Sequence, residues 1–232
     1  MATYVILAGA TAAGWYMRPV ASRLQKAGHD IFTPTYTGLG ERSHLLNPDI
    51  DLETHILDVL QVFKYEDLSD VILVGKSYSG MVITGVADRI PEKIRHLAYL
   101  DAAVPEDGQS LLDLLDPATA AMVAEVVQTY GEGWYLPVDP AADPRLTPHP
   151  GKTGSQPLRL HNPQALESIP HTYIYCTRKP PVGLAACLTQ AGAAKAKAKG
   201  WHYYELATDH EPEQEAPDEV AAILLALASL MI

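Results

Sequence analysis

The stretch VILVGKSYSGMVI, residues 71–83, sets Ser77 in a context that can turn an ordinary hydroxyl into a nucleophile. Four apolar residues run into Gly75, the turn Lys76-Ser77-Tyr78-Ser79-Gly80 follows, and apolar positions then recur at helical spacing. Strand, sharp turn and helix in that order make a nucleophile elbow, which holds the serine in a strained turn with Oγ above the strand ends. Small residues must flank it because strand and helix approach closely. Gly75 meets that need on one side; on the other stands Ser79, with Gly80 one place later.

A serine hydroxyl attacks only when a base takes its proton. Of the nine histidines, His210 in ELATDHEPEQEAP is best placed, after the last expected strand and before the last helix. Its neighbour Asp209 would point away from the ring. His29, His44, His55, His96, His161 and His171 read as surface or structural residues, and His202 begins a strand. Two phosphate-binding readings fail. The GKS at residues 75–77 lacks the earlier glycine of a P-loop, since Asp70 stands there, and GATAAG has Thr11 where a dinucleotide loop needs its middle glycine.

The elements that must position Ser77 and His210 alternate regularly. YVILAG, DIFTPTY, DVILVG, IRHLAYLDA, HTYIYCT and HYYELA read as strands. Between them lie helices at GWYMRPVASRLQKAGH, DLETHILDVLQVFKYEDL, MVITGVADRI and near 183–199, with APDEVAAILLALASLMI closing the chain. Parallel neighbours need crossover connections, so this alternation predicts an α/β fold with a mostly parallel central sheet and helices on both faces. The period breaks after Pro105. Residues 1–105 and 169–232 are expected to form the core. Residues 106–168 hold one or two helices and a Pro- and Gly-rich stretch, and read as a small inserted cap.

Bulk properties narrow the field. At 232 residues, 47% apolar and 19% charged, the chain is expected to fold as one domain. A formal net charge of -11 with no dense basic stripe argues against nucleic acid, and KAKAKG (Lys195, Lys197, Lys199) reads as a solvated helix face. The start MATYVILAG has neither a basic leader nor an apolar run long enough to span a bilayer, so a cytoplasmic protein without membrane attachment is expected. Cys176 and Cys187 show no metal spacing, and a disulfide between them is not favoured in a reducing compartment.

These motifs give the chain a family likeness. TPTYTGLGERSHLL, DLSDVILVGKSYSGMVI, AYLDAAVPEDGQSLLD, IYCT and the His210 turn together resemble the α/β-hydrolase superfamily. The likeness is to small esterases and hydroxynitrile lyases of the plant methylesterase type and their bacterial relatives. The resemblance implies the α/β-hydrolase fold, Ser77 as nucleophile, His210 as general base, and the backbone N–H groups of Tyr78 and Ala10 as an oxyanion hole. It implies no metal or organic cofactor.

Three departures stand out. The first strand ends in Ala8-Gly9 where relatives carry His-Gly, and Lys76 precedes the nucleophile. CTRKPPVG offers Arg178 and Lys179 where many relatives place the acid. Asp101, at the end of the strand after the elbow helix, is therefore the candidate acid. Its replacement by Asn is expected to reduce turnover by orders of magnitude with little change in melting temperature. Lys76 has two readings. Desolvated near the pocket, it would lower the effective pKa of the serine or form a Schiff base; turned away by the elbow, it would face solvent or pair with an acid. Lys76, Trp134 and Tyr130 are the candidate substrate-binding residues. The expected activity is hydrolysis of a small carboxylic ester through an acyl-enzyme. The alternatives are a lyase on the same scaffold, although Glu211 and Pro212 stand where lyase relatives carry a lysine, or an altered hydrolase that only binds a small ligand. The expected partner is a small-molecule substrate, with a homodimer through the cap or a sheet edge left open.

Overall fold

The protein is described by a computed structural model covering residues 1–180 and 182–229; Pro181 in CTRKPPVG and the last three residues of the closing helical stretch lie outside the described residues. The strands are β1 (Thr3–Leu7), β2 (Asp30–Phe32), β3 (Val71–Lys76), β4 (Ile94–Leu100), β5 (Tyr135–Leu136), β6 (His149–Pro150), β7 (His171–Cys176) and β8 (His202–Leu206). Six of them form one sheet in the order β2-β1-β3-β4-β7-β8, every pair parallel, while β5 and β6 make a separate antiparallel pair.

The helices are α1 (Arg18–Lys26), α2 (Leu52–Tyr65), α3 (Ser79–Arg89), α4 (Pro117–Tyr130), α5 (Lys152–Ser155), α6 (Pro163–Ser168), α7 (Leu184–Ala198), α8 (Pro212–Glu215) and α9 (Pro217–Ser229). Alternation along the strands sorts them onto two faces. Tyr4, Ile6, Ile72, Val74, Ala98, Leu100 and Ile174 pack with Val20 and Leu24 of α1 and Val220, Leu224 and Leu227 of α9. Val5, Leu7, Val71, Leu73, Leu97, Tyr99 and Tyr173 turn the other way, onto α2, α3 and α7. Central strands covered on both sides favour continuous apolar runs, and β3 is buried throughout, apolar from Val71 to Val74 before it ends in Gly75 and Lys76.

Local chemistry sets the ends of these elements. Asp51 caps α2 by accepting from the Thr54 N–H, and the Thr54 side chain returns a bond to the Asp51 N–H. DIFTPTY is a strand only as far as Phe32, shorter than its composition predicts. Pro34 has no N–H for a ladder, and the Thr35 side chain instead accepts from the Gly14 N–H at 2.9 Å. Ala216 alone separates α8 from α9, which Pro217 opens.

The segment 106–168 carries more structure than its sequence pattern predicts. A 3-10 turn at Leu112–Leu114 and α4 account for its first half, and β5, β6, α5 and α6 punctuate the Pro-rich second half. Leu158 and Leu166 join the core beneath the sheet face that carries α3.

Candidate active site

Three loops at the carboxyl ends of β3, β4 and β8 meet at one point. Ser77 stands at the tip of the elbow with φ 55°, a left-handed conformation that costs a non-glycine residue about 1–2 kcal/mol. Two glycines make the turn sterically feasible. A Cβ on Gly75 would lie 2.7 Å from the Ser79 carbonyl oxygen, and one on Gly80 only 1.9 Å from that of Ala103. Ser79, the departure from the usual small flank, is fully buried, donates to the Ala8 carbonyl and accepts from the Tyr36 hydroxyl at 2.6 Å. Its hydroxyl therefore ties the elbow to the end of β1.

Ser77 Oγ lies 2.8 Å from His210 Nε2, and His210 Nδ1 lies 2.7 Å from Asp101 Oδ2. This spacing fits an Nδ1–H tautomer that donates to the carboxylate and leaves Nε2 to accept the serine proton. Asp101 is fully buried and has φ 45°, so a second strained turn sits at the site. Its other oxygen accepts from the Cys176 N–H at 3.1 Å and from Lys179 Nζ at 2.7 Å. Burial, then the nearby Lys76 ammonium, lower the pKa of His210, while the hydrogen bond and charge of Asp101 oppose them. The ring is neutral near pH 7, the state a general base requires.

The turn after β1 supplies backbone donors. Thr11 has φ 63°; its N–H points to His149 Nδ1 at 3.4 Å and its carbonyl accepts from the Thr147 N–H at 3.0 Å. Among the described residues, no protein acceptor takes the N–H of Ala10 or of Tyr78. Ala10 lines a cavity of about 430 Å³ whose other walls include Leu111, Leu112, Val127, Trp134 and His149. A second cavity, of about 470 Å³ against Tyr99, His171 and Trp201, is larger. Neither is lined by Ser77, Asp101 or His210, but the smaller one includes Ala10, whose free N–H lies in the turn after β1, and His149, whose ring packs on Tyr78, so it is the one adjoining the elbow.

Trp134 and Ala10 thus stand where a bound molecule would touch them. Tyr130 does not: it is 71% exposed at the last position of α4 and is not among the residues that line the cavity. Lys76 is not a pocket residue either. The elbow turns its side chain inward, where Nζ donates to Glu211 Oε1 at 2.8 Å, so the acid-paired reading holds. Burial works against its charge, but Glu213 and Glu211 more than offset that and raise its pKa, which removes the neutral amine a Schiff base would need.

Sequence reasoning missed His149. It is buried, its Nε2 lies 2.9 Å from the Thr153 hydroxyl, and its ring meets Tyr78 edge-on at 4.7 Å. LTPHPG has no periodicity that would have flagged it, and only the distant Thr11 N–H reveals a role. Lys179 was missed as a partner for Asp101 for the same reason, being 78 positions away in the chain.

A six-stranded parallel sheet flanked by helices on both faces, with a serine at the tip of a strained strand-to-helix turn, is the architecture of an α/β hydrolase. The chain matches the Alpha/beta hydrolase family over residues 4–223 and belongs to it. A carbendazim hydrolyzing esterase from Nocardioides sp. is 58% identical over 118 residues, which are 51% of this chain and 49% of that protein. A putative chloroplastic methylesterase 14 of Arabidopsis thaliana is 28% identical over 137 residues, 56% of this chain and 39% of that protein. The match therefore spans half or less of the length of these curated relatives. An extracellular α/β-hydrolase from a Paenibacillus species, described as homologous to tobacco salicylic acid binding protein 2, superposes with TM-score 0.81 at 23% identity. That superposition covers 98% of this chain and 99% of the other. Among the described residues no helix is long and apolar enough to cross a membrane.

Proposed function

We propose that the protein is a serine hydrolase that cleaves a small, largely apolar carboxylic ester through an acyl-enzyme on Ser77. The observation that carries this reading is the unbroken relay from Ser77 Oγ to His210 Nε2 at 2.8 Å and from His210 Nδ1 to Asp101 Oδ2 at 2.7 Å. As Oγ attacks the ester carbonyl, His210 takes its proton. The oxyanion is received by the N–H groups of Ala10 and Tyr78, each such donor lowering the barrier by about 3–4 kcal/mol. His210 then protonates the departing alcohol, and a water repeats the sequence to release the acid. Asp101 holds the Nδ1–H tautomer and stabilises the imidazolium.

The walls of the cavity favour an uncharged, flat or branched apolar group, with Leu111, Val127 and Trp134 offering no countercharge. The relatives named for ester hydrolysis support the reaction class, and carbendazim belongs in the first substrate panel. The lyase alternative draws no support from Lys76, whose ammonium is held by Glu211.

Labelling with a fluorophosphonate tests the reading. The wild type is expected to react at Ser77, and S77A and H210A are expected to lose both labelling and turnover of p-nitrophenyl esters. Wild type that does not react would leave a protein that only binds ligands, and labelling without a burst of alcohol would remove the acyl-enzyme.

A further inference from the structure

Beside the relay lies a second cluster of charged residues, none of which lines the cavity that includes Ala10. Lys76 precedes Ser77 in the chain, Glu211 follows His210, and Glu213 comes two residues after Glu211. The three side chains are 5%, 39% and 0% exposed. The Lys76 stem runs past Gly9: a Cβ there would meet Lys76 Cδ at 3.0 Å and Ser77 Cβ at 3.1 Å. Its ammonium ends 2.8 Å from Glu211 Oε1 and 3.6 Å from Glu213 Oε1. One side chain thus crosses from the elbow, past the β1 turn that carries Ala10, to the loop that carries His210. Gln214 fixes the far end by donating to the Tyr16 carbonyl at 2.6 Å.

The charges in this cluster are unequal. Glu213 finds no hydrogen bond for either oxygen among the described residues, and burial pushes its pKa up to about 8. Near neutral pH it is therefore uncharged, and the cluster amounts to one cation and one anion beside an imidazole. Other groups around the ring are Asp101 at the end of β4 and Lys179 after β7, which form their own pair. Tyr16, before α1, faces Glu211 and Glu213, and Arg178 pairs with Glu215.

We propose that Lys76 and Glu211 are positioning residues that fasten the nucleophile elbow to the histidine loop and, through their opposed charges, set the proton affinity of His210. This rests on His210 being the general base. The two parts separate experimentally, because the tether needs both side chains whereas the electrostatic part depends only on net charge. K76M leaves Glu211 unopposed, so the imidazolium becomes easier to form. K76M/E211Q restores zero net charge but not the tether.

The test is the pH dependence of kcat/KM for p-nitrophenyl acetate. In K76M the acid limb is expected to move up by about one pH unit, the size typical of an uncompensated neighbouring charge. In K76M/E211Q it returns to the wild-type position, while kcat stays about tenfold down in both variants with KM little changed. E211K, at a partly exposed position that accommodates lysine, moves the limb the other way and keeps the proposal testable should K76M not fold. An acid limb unmoved in K76M or in E211K overturns the electrostatic part, and undiminished kcat in K76M/E211Q overturns the tether. Wild-type turnover in H210A would instead overturn the underlying assignment of the base, so the two failures are distinguishable.

Discussion

From residue 71 to residue 88 only Ser77 escapes full burial, whereas along α4 only Thr119 is buried. The first region carries the proposed nucleophile Ser77, and the second lends one side to the cavity that would hold the rest of a substrate. The contrast follows from what each must do. Proton relays fail when donor and acceptor move by a fraction of an ångström, so the elbow is packed from every direction. An apolar wall needs only approximate shape, so a half-exposed helix suffices and can change without disturbing the fold.

This contrast is most sharply tested at Asp101. D101N is expected to reduce kcat/KM by about 10⁴, the penalty for losing the tautomer in a serine hydrolase. Its stability should fall as well, which corrects the expectation drawn from the sequence. Lys179 is 3% exposed and pairs with Asp101 at 2.7 Å, and stranding a buried charge costs roughly 3–5 kcal/mol. D101N/K179M is expected to regain the melting temperature but not the activity. A D101N that melts like wild type would mean that the ion pair contributes nothing.

Next comes the packing of the elbow itself. G80A must push a methyl group into the Ala103 carbonyl, which lies 1.9 Å from the ideal Cβ position, and should destabilise by about 3 kcal/mol or more in urea titrations. On the permissive side, V127W should fill part of the cavity of about 430 Å³. It is expected to reduce kcat/KM for bulky aryl esters about tenfold while leaving acetate esters and the melting temperature nearly unchanged.

A smaller effect should appear in the pH dependence of stability. Burial lowers His55, His96 and His171 from 6.5 to about 4. They are neutral in the fold and take up protons on unfolding, so their contribution is complete above 6.5 and is lost as the pH falls toward 4. Glu213 works in the opposite direction, its contribution complete below 4.5 and fading as the pH rises through about 8. E213Q should flatten that upper slope in denaturation midpoints without moving the acid side. The smallest change is expected for G154A, whose Cβ would meet only Leu111 Cδ2 at 3.8 Å; it should melt within a degree or two of wild type.

Periodicity and turn chemistry alone determined the six-strand α/β order, the elbow at Ser77 and the candidacy of His210. Each is a local consequence of residues adjacent in the chain: a buried strand favours a continuous apolar run, and a tight turn must have small flanks. Asp101 was legible only as a strand-end carboxylate. Its hold on His210 spans 109 positions, and no local rule encodes that distance. The tertiary structure alone decided that Lys76 turns to Glu211, that Lys179 closes on Asp101, that His149 braces Thr11, and that Tyr130 stays outside the cavity. Side chains such as these take their partners from whatever the packed sheet brings within reach, so the fold must form before their chemistry is defined.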